Sequence, residues 1–231
     1  MKIGIISDIH GNEHALGKVL DHCTYMGVER LFILGDFVGY YYGAKIVYEL
    51  LKGWQVSAVR GNHEEILSAL MNKSLSDRAV IRKYGNGHLV ALADLTEEAL
   101  TYFIELPQSL EIQLNGKRIF LCHSNPWHSP EYIYPDTGLS ILQKFGQYSY
   151  DYILFGHSHY PCTFSMNGVT CINPGSVGQA RDKFSLASYS ILNTENEVIT
   201  FYKIPYDKSK LLAQVRQFDS KSNYHRTVLE R

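Results

Sequence analysis

Five short stretches of the chain concentrate residues that bind metal ions. In order they are Asp8-Ile9-His10, Gly35-Asp36, Gly61-Asn62-His63-Glu64, a single His123, and Gly156-His157-Ser158-His159. Together they offer carboxylate, amide and imidazole donors in the number that a two-metal hydrolytic site requires. Each stretch follows an apolar run that reads as a strand. Side chains at the ends of neighbouring strands of an α/β sheet can meet in one crevice. Seven such donors, spread over most of the chain and joined only by folding, are not what core packing calls for.

Taken singly, the stretches differ in weight. A turn starting at Asp8 would aim Asp8 and His10 at one ion, although Asp8 serves equally well as the cap of a following helix. The Asp36 carboxylate has two acceptor oxygens and can bridge two cations, or it is a turn aspartate. Asn62 offers a neutral oxygen to a hard or borderline metal. His63 is its direct neighbour and is poorly placed for the same ion, which leaves it free as a general acid or as a group over a phosphate. Glu64 could hold the His63 imidazole, or it could merely suit the positive end of a helix. His123 alone says little. His157 and His159, two residues apart and preceded by Gly156, suit two neighbouring ions, one each. The other histidines, His14, His22, His88, His128 and His225, lack partners at ligand spacing and read as surface or helix residues. His128 follows His123 closely. Asn173-Pro174-Gly175-Ser176-Val177-Gly178 packs turn formers into one loop, for which a connection is explanation enough.

These donors need strands and turns to carry them. Lys2–Ser7, Arg30–Leu34 and Gln55–Val59 read as buried strands ending at Asp8, Gly35 and Arg60. They alternate with helical patterns over Asn12–Tyr25 and Gly43–Leu51, a rhythm that argues for parallel strands. Residues 64–106 read as a helical cover beside the crevice, in pieces Glu64–Met71, Ser76–Val90 and Thr96–Leu106. Asn115-Gly116 and Asn167-Gly168 each mark a tight hairpin, the first between Leu110–Leu114 and Lys117–Cys122, the second between Cys162–Met166 and Val169–Ile172. Thr137–Phe145 reads as a helix and Tyr152–Phe155 as the strand before His157. Phe184–Leu192 and Glu197–Ile204 are further strands, and Tyr206–Phe218 is a closing helix. The fold class is α/β in layers, two facing mixed sheets with helices outside, in a single domain over residues 1–218. Residues 219–231 read as a loose polar tail.

Composition narrows the functions. A net charge of −1 leaves no basic footprint for bulk nucleic acid or a membrane surface. No apolar run approaches the ~20 residues of a membrane helix. The start is too soon polar for a signal peptide, and the four cysteines form no Cys-x-x-Cys pair. A reduced, cytoplasmic protein with cysteines in its core is expected.

With these residues in view, the chain resembles the calcineurin-like metallophosphoesterases from Asp8 to about Leu192. Its loop sequences Gly35–Tyr40 and Asn173–Gly178 look like the small prokaryotic phosphodiesterase branch, often compared with diadenosine-tetraphosphate hydrolases. The resemblance implies a β-sandwich flanked by helices and two divalent metal ions, manganese first, with iron, zinc, cobalt or nickel as alternatives. It implies Asp8, His10, Asp36 and His159 around the first ion, and Asp36, Asn62, His123 and His157 around the second. His63 would act on the leaving group or the transition state, supported by Glu64. Two ions ~3.5–4 Å apart would activate a bridging water and clamp the phosphoryl oxygens. The chain departs from the family pattern in three places: Glu64 where Asp is usual, Ser124 where Gly is common, and Ala180 near a frequent Pro. The expected substrate is a small phosphodiester. A phosphomonoester or a dinucleoside polyphosphate, hence a nucleotide, is the alternative, and a non-catalytic binding module on the same fold is a further one.

Overall fold

The computed structural model describes all 231 residues. Two five-stranded sheets carry the chain. The first runs in the order β10 (Val198–Ile204), β9 (Ala187–Asn193), β1 (Lys2–Ile6), β2 (Arg30–Ile33), β3 (Val56–Ala58). The second runs β4 (Ser109–Leu114), β5 (Lys117–Cys122), β6 (Tyr152–Leu154), β8 (Val169–Pro174), β7 (Pro161–Met166). As the β-α-β rhythm demands, β1 pairs in parallel with β2, and β2 with β3. The crossovers are α1 (Glu13–Tyr25) and α2 (Ala44–Leu51). In the second sheet β5, β6 and β8 are parallel neighbours.

Alternation along the strands sends side chains to two different cores. Ile3, Ile5, Phe32 and Leu192 from the first sheet meet Ile119, Leu121, Leu154 and Ile172 from the second. This shared layer holds the sheets face to face, and each such buried side chain contributes roughly 1.5–3 kcal/mol. Ile6, Leu31 and Ile33 face the other way, onto Ala15, Leu16 and Val19 of α1 and Val47 of α2. Phe120, Ile153 and Phe155 pack on Phe145 of α7 (Leu139–Phe145) behind the second sheet. Both Asn-Gly hairpins form as read: Asn115, Gly116, Asn167 and Gly168 all have positive φ, as a two-residue turn of this hand requires. The cysteines are free, and three of the four are buried. No helix is long and apolar enough to cross a membrane.

Two expectations need correction. The stretch Ser76–Val90 is not one helix. It is α4 (Asp77–Tyr84) and α5 (Gly87–Asp94), following α3 (Asn62–Met71) and preceding α6 (Glu97–Glu105). The break falls at Gly85, φ 75°, and at Asn86, whose N–H donates to Asp219. Residues 219–231 are not a loose tail. After α8 (Ser209–Phe218) they form α9 (Asn223–Leu229), which buries His225, Val228 and Leu229. Asp219 accepts from the Tyr42 hydroxyl at 2.7 Å, and His225 Nε2 lies 3.1 Å from the Tyr84 carbonyl. Asp219 and His225 are thus buried partners of distant residues.

Candidate metal centre

Five strand ends, from both sheets, converge on one crevice. Asp8 and His10 follow β1, Asp36 follows β2, and Asn62 and His63 open α3 just beyond β3. His123 follows β5, and His157 and His159 follow β6. Asp8, His10, Asp36, His157 and His159 all have φ between 50° and 68°. Non-glycine residues take up this left-handed conformation at a cost, and they keep it only where the surroundings fix it. Here the backbone is fixed across the turns. His10 N–H donates to the Asp36 carbonyl at 2.9 Å, Asp8 N–H to the Gly35 carbonyl at 3.1 Å, and Gly178 N–H to the Asp8 carbonyl at 3.0 Å.

The loop Asn173–Gly178 does more than connect. Asn173 Nδ2 donates to the Gly156 carbonyl and to Ser158 Oγ, and Ser176 Oγ donates to the Asp8 carbonyl. It therefore braces the Asp8 turn and the His157 turn against each other.

The donors form two groups. One ligand atom each from Asp8, His10, Asp36 and His159 lies within 4.8 Å of the others, and so do atoms of Asp36, His123 and His157. Asp36 belongs to both. Asn62 Oδ1 lies 3.1 Å from His123 Nε2, which puts it with the second group. The imidazoles are oriented from behind. His10 Nδ1 meets the Val38 carbonyl at 3.2 Å, His159 Nδ1 the Gln179 carbonyl at 2.6 Å, and His123 Nδ1 the Leu34 carbonyl at 2.7 Å. A carbonyl only accepts, so each Nδ1 carries a proton, and Nε2 of a neutral ring presents the lone pair. Yet His10 Nε2 and His159 Nε2 face each other at 3.1 Å, and His123 Nε2 faces His157 Nδ1 at 3.1 Å. Asp8 Oδ1 is buried with no hydrogen-bond donor. The facing His10 and His159 Nε2 atoms beside an unpartnered carboxylate oxygen are what a cation between them would resolve, and Asp36, Asn62, His123 and His157 gather a second donor set beside it, so the residues fit a metal pair.

The electrostatics agree. Burial pushes the His10 imidazole down to about 3 and that of His157 to about 4, leaving both neutral as ligands must be. Burial would lower His123 as well, but the Asp36 carboxylate 3.3 Å away outweighs it and carries His123 up to about 10. Asp36 is correspondingly held well below the usual carboxylate range by His123 and then His63, against the opposing effect of burial. Without metal, a proton on His123 supplies part of the positive charge that the group lacks.

His63 sits beside the donors and outside both groups. Its ring packs against His10, Tyr40, Tyr84 and His88, and its Nδ1 has no partner. Glu64 departs from the expected role. It does not hold the His63 imidazole. Its carboxylate accepts from the backbone N–H groups of Asp36, Phe37, Val38 and Gly61 at 2.8 to 3.2 Å. Burial and then Asp36 push it up to about 8, against the pull of these amides. Successive helical residues point about 100° apart, so Glu64 reaches back to the Asp36 turn while His63 faces the crevice. Gly61 allows this close approach, because a Cβ there would lie 2.2 Å from Asp36 Oδ1.

Two adjoining cavities open onto the centre, of about 450 and about 190 Å³, sharing Asn62, Lys83, Tyr84, Tyr132 and His157. Lys83 and Tyr84 come from α4, so the helical cover does border the crevice. Tyr40 lines the smaller cavity, whereas Tyr41 and Tyr42 pack against α8 and α9. His128 lines the larger one. Several neighbours of the centre were not singled out from the sequence. His88 is fully buried and stacked on His63, and His225 is buried too, so neither is a surface residue. Tyr132 stacks on His157 with ring centroids 4.1 Å apart. Arg181 and Tyr224 line the smaller cavity. Only the position of Arg181, just past the Asn173–Gly178 loop, could have drawn notice.

Comparison with known proteins gives a consistent picture. Residues 1–197 match the family model of the calcineurin-like phosphoesterase superfamily domain. An uncharacterized protein of Methanocaldococcus jannaschii is 32% identical, over 92% of this chain and 91% of its own. The phosphodiesterase YfcE of Escherichia coli is 25% identical, over 93% and 97% respectively. The crystal structure of a metallophosphoesterase from Sphaerobacter thermophilus superposes with a TM-score of 0.82 at 27% identity, covering 100% of this chain and 98% of that one.

Proposed function

Because the chain belongs to the calcineurin-like phosphoesterase superfamily, we propose that it is a two-metal phosphodiesterase acting on a small phosphodiester. The observation that carries this reading is the pair of donor groups joined at Asp36, with imidazole nitrogens facing each other at 3.1 Å in each group. Asp8, His10, Asp36 and His159 would hold one ion, and Asp36, Asn62, His123 and His157 the other. Mixed oxygen and nitrogen donors suit manganese, with iron, zinc, cobalt or nickel as alternatives. When bound, such a pair supplies an activated water and neutralises phosphoryl charge.

The chain's own residues do the rest. The turns that hold Asp8, His10, Asp36, His157 and His159 are braced by backbone hydrogen bonds, so the donors are set before substrate arrives. Glu64 fixes the Asp36 turn and is a positioning residue. His63, beside the donors and in the cavity wall, assists the leaving oxygen or the transition state. The donor set and His63 are all present, which favours catalysis over a binding module. Preference for a diester over a monoester is supported by the similarity to a named phosphodiesterase.

The test is hydrolysis of bis-p-nitrophenyl phosphate against p-nitrophenyl phosphate, with Mn²⁺ added back after chelation. Metal-dependent cleavage of the diester is the expected result. A preference for the monoester would replace the diesterase reading with a phosphatase. No turnover of either, with metal shown bound, would overturn the catalytic reading for simple esters.

A further inference from the structure

The smaller cavity contains a cation that the metal centre does not use. Arg181 is partly buried and lines this cavity with Asp36, His63, His157 and His159. Asp36 is the one carboxylate in the lining, and it belongs to both donor groups. The guanidinium has a single side-chain hydrogen bond, from Nη2 to Gln179 Oε1 at 3.3 Å, and its buried Nε has none. Donors are thus left over beside the place where a phosphoryl group would sit.

The side chain is aimed by its neighbours. Gln179 is tied to the centre, since its carbonyl meets His159 Nδ1 and its N–H donates to Ser176 Oγ. The Tyr224 hydroxyl donates to the same Gln179 Oε1 at 3.3 Å. Tyr224 stands on α9, outside the stretch that matches the family model, and Arg231 Nη1 beyond that helix donates to the Arg181 carbonyl. Tyr40 flanks the cavity from the other side, with its ring centroid 5.9 Å from that of Tyr224. Lys83, the other cation of this lining, is exposed and lies over the Tyr84 ring. A guanidinium is a planar fork with donors matched to two oxygens of one phosphate.

We propose that Arg181 is a substrate-binding residue, its guanidinium donating hydrogen bonds to the non-bridging oxygens of the phosphoryl group at the metal centre, with α9 holding it there through Tyr224 and Gln179. The assignment rests on the phosphoesterase reading above. It gives the C-terminal helix a place in the substrate pocket that the donor motifs do not suggest.

The experiment uses full-length Mn²⁺-loaded protein as wild type, Arg181→Ala, Arg181→Lys and Tyr224→Phe, with metal content measured on each. Orthophosphate binding is followed by calorimetry and diester hydrolysis by kcat/KM. Arg181→Ala should weaken phosphate binding roughly 10- to 100-fold, the range for a lost hydrogen bond to a charged group, with metal content unchanged. Arg181→Lys should recover part of the loss, and Tyr224→Phe should show a smaller loss of the same kind. Wild-type phosphate affinity and turnover in both arginine variants would overturn the proposal and leave the phosphoesterase reading intact. If the wild type hydrolyses no diester but binds phosphate, the calorimetric comparison still decides Arg181 while the hydrolytic reading falls. If it does neither, both fall.

Discussion

His63 and His88 stack face to face, their ring centroids 4.9 Å apart and their planes 16° from parallel. The stack is clamped by Gly39, where a Cβ would lie 2.1 Å from His63 Nδ1 and 2.6 Å from His88 Cε1. His88 comes from α5, so a helix of the cover fixes the ring that lines the crevice.

A ring fixed in this way outside the donor groups should matter for turnover and not for metal. We predict that His63→Ala lowers kcat by roughly 10²-fold or more while elemental analysis finds wild-type metal content. Full activity in that variant would remove His63 from the mechanism.

Glu64 should behave in the opposite way. Glu64→Gln replaces one acceptor oxygen with an NH₂ group facing backbone N–H donors, at an expected loss of about 1–3 kcal/mol in stability. The Asp36 turn would loosen, so metal content should fall together with activity. If the variant melts like wild type and keeps its metal, the bracing role assigned to Glu64 is wrong.

Removing metal leaves the facing imidazole lone pairs and the Asp8 oxygen uncompensated. Chelation should therefore lower the melting temperature, and Mn²⁺ should restore it. At a free metal concentration 100 times Kd the gain is about 2.7 kcal/mol. Superimposable melting curves with and without chelator would argue against a metal pair.

Acid should destabilise the fold through its buried neutral histidines. Burial, and then the charge of neighbouring His63, holds His88 down to about 3, against an ordinary value of 6.5. The unfolded chain binds this proton more readily than the folded one. The contribution of neutral His88 is therefore complete above pH 6.5 and is lost as the pH falls toward 3, by up to ~1.4 kcal/mol per pH unit. In metal-free protein His10 and His157 act in the same direction. Denaturant midpoints measured from pH 7 to pH 4 should show His88→Phe less acid-sensitive than wild type. Equal slopes would count against the assignment.

The donor motifs were legible because each rests on local information, an apolar run that stops at a carboxylate, amide or imidazole. The Asn-Gly hairpins were legible for a similar reason, since the turn chemistry lies in two adjacent residues. What escaped depends on partners far along the chain. The helix break at Gly85-Asn86 is stabilised by Asp219, 133 residues away. Residues 219–231 look polar until Tyr42, Asn86 and Tyr84 are seen to receive Asp219 and His225. His88 seemed unpartnered because its neighbour His63 stands on a different helix. Glu64 was assigned to the histidine beside it, whereas helical geometry turns it toward the backbone of another loop.

β1 lies between β2 and β9, and each donor group likewise joins residues from the first third of the chain to others from its second half. Asp8, His10, Asp36 and Asn62 leave the ribosome early, but the first group lacks His159, and the second His123 and His157, until residues 123–159 have followed. β1 itself waits for β9 to complete its pairing. Capture of metal by these groups would therefore be a late event in biosynthesis. The ions would join a chain whose two sheets have already met, and a nascent chain stalled before His157 would expose the early carboxylates without retaining a metal.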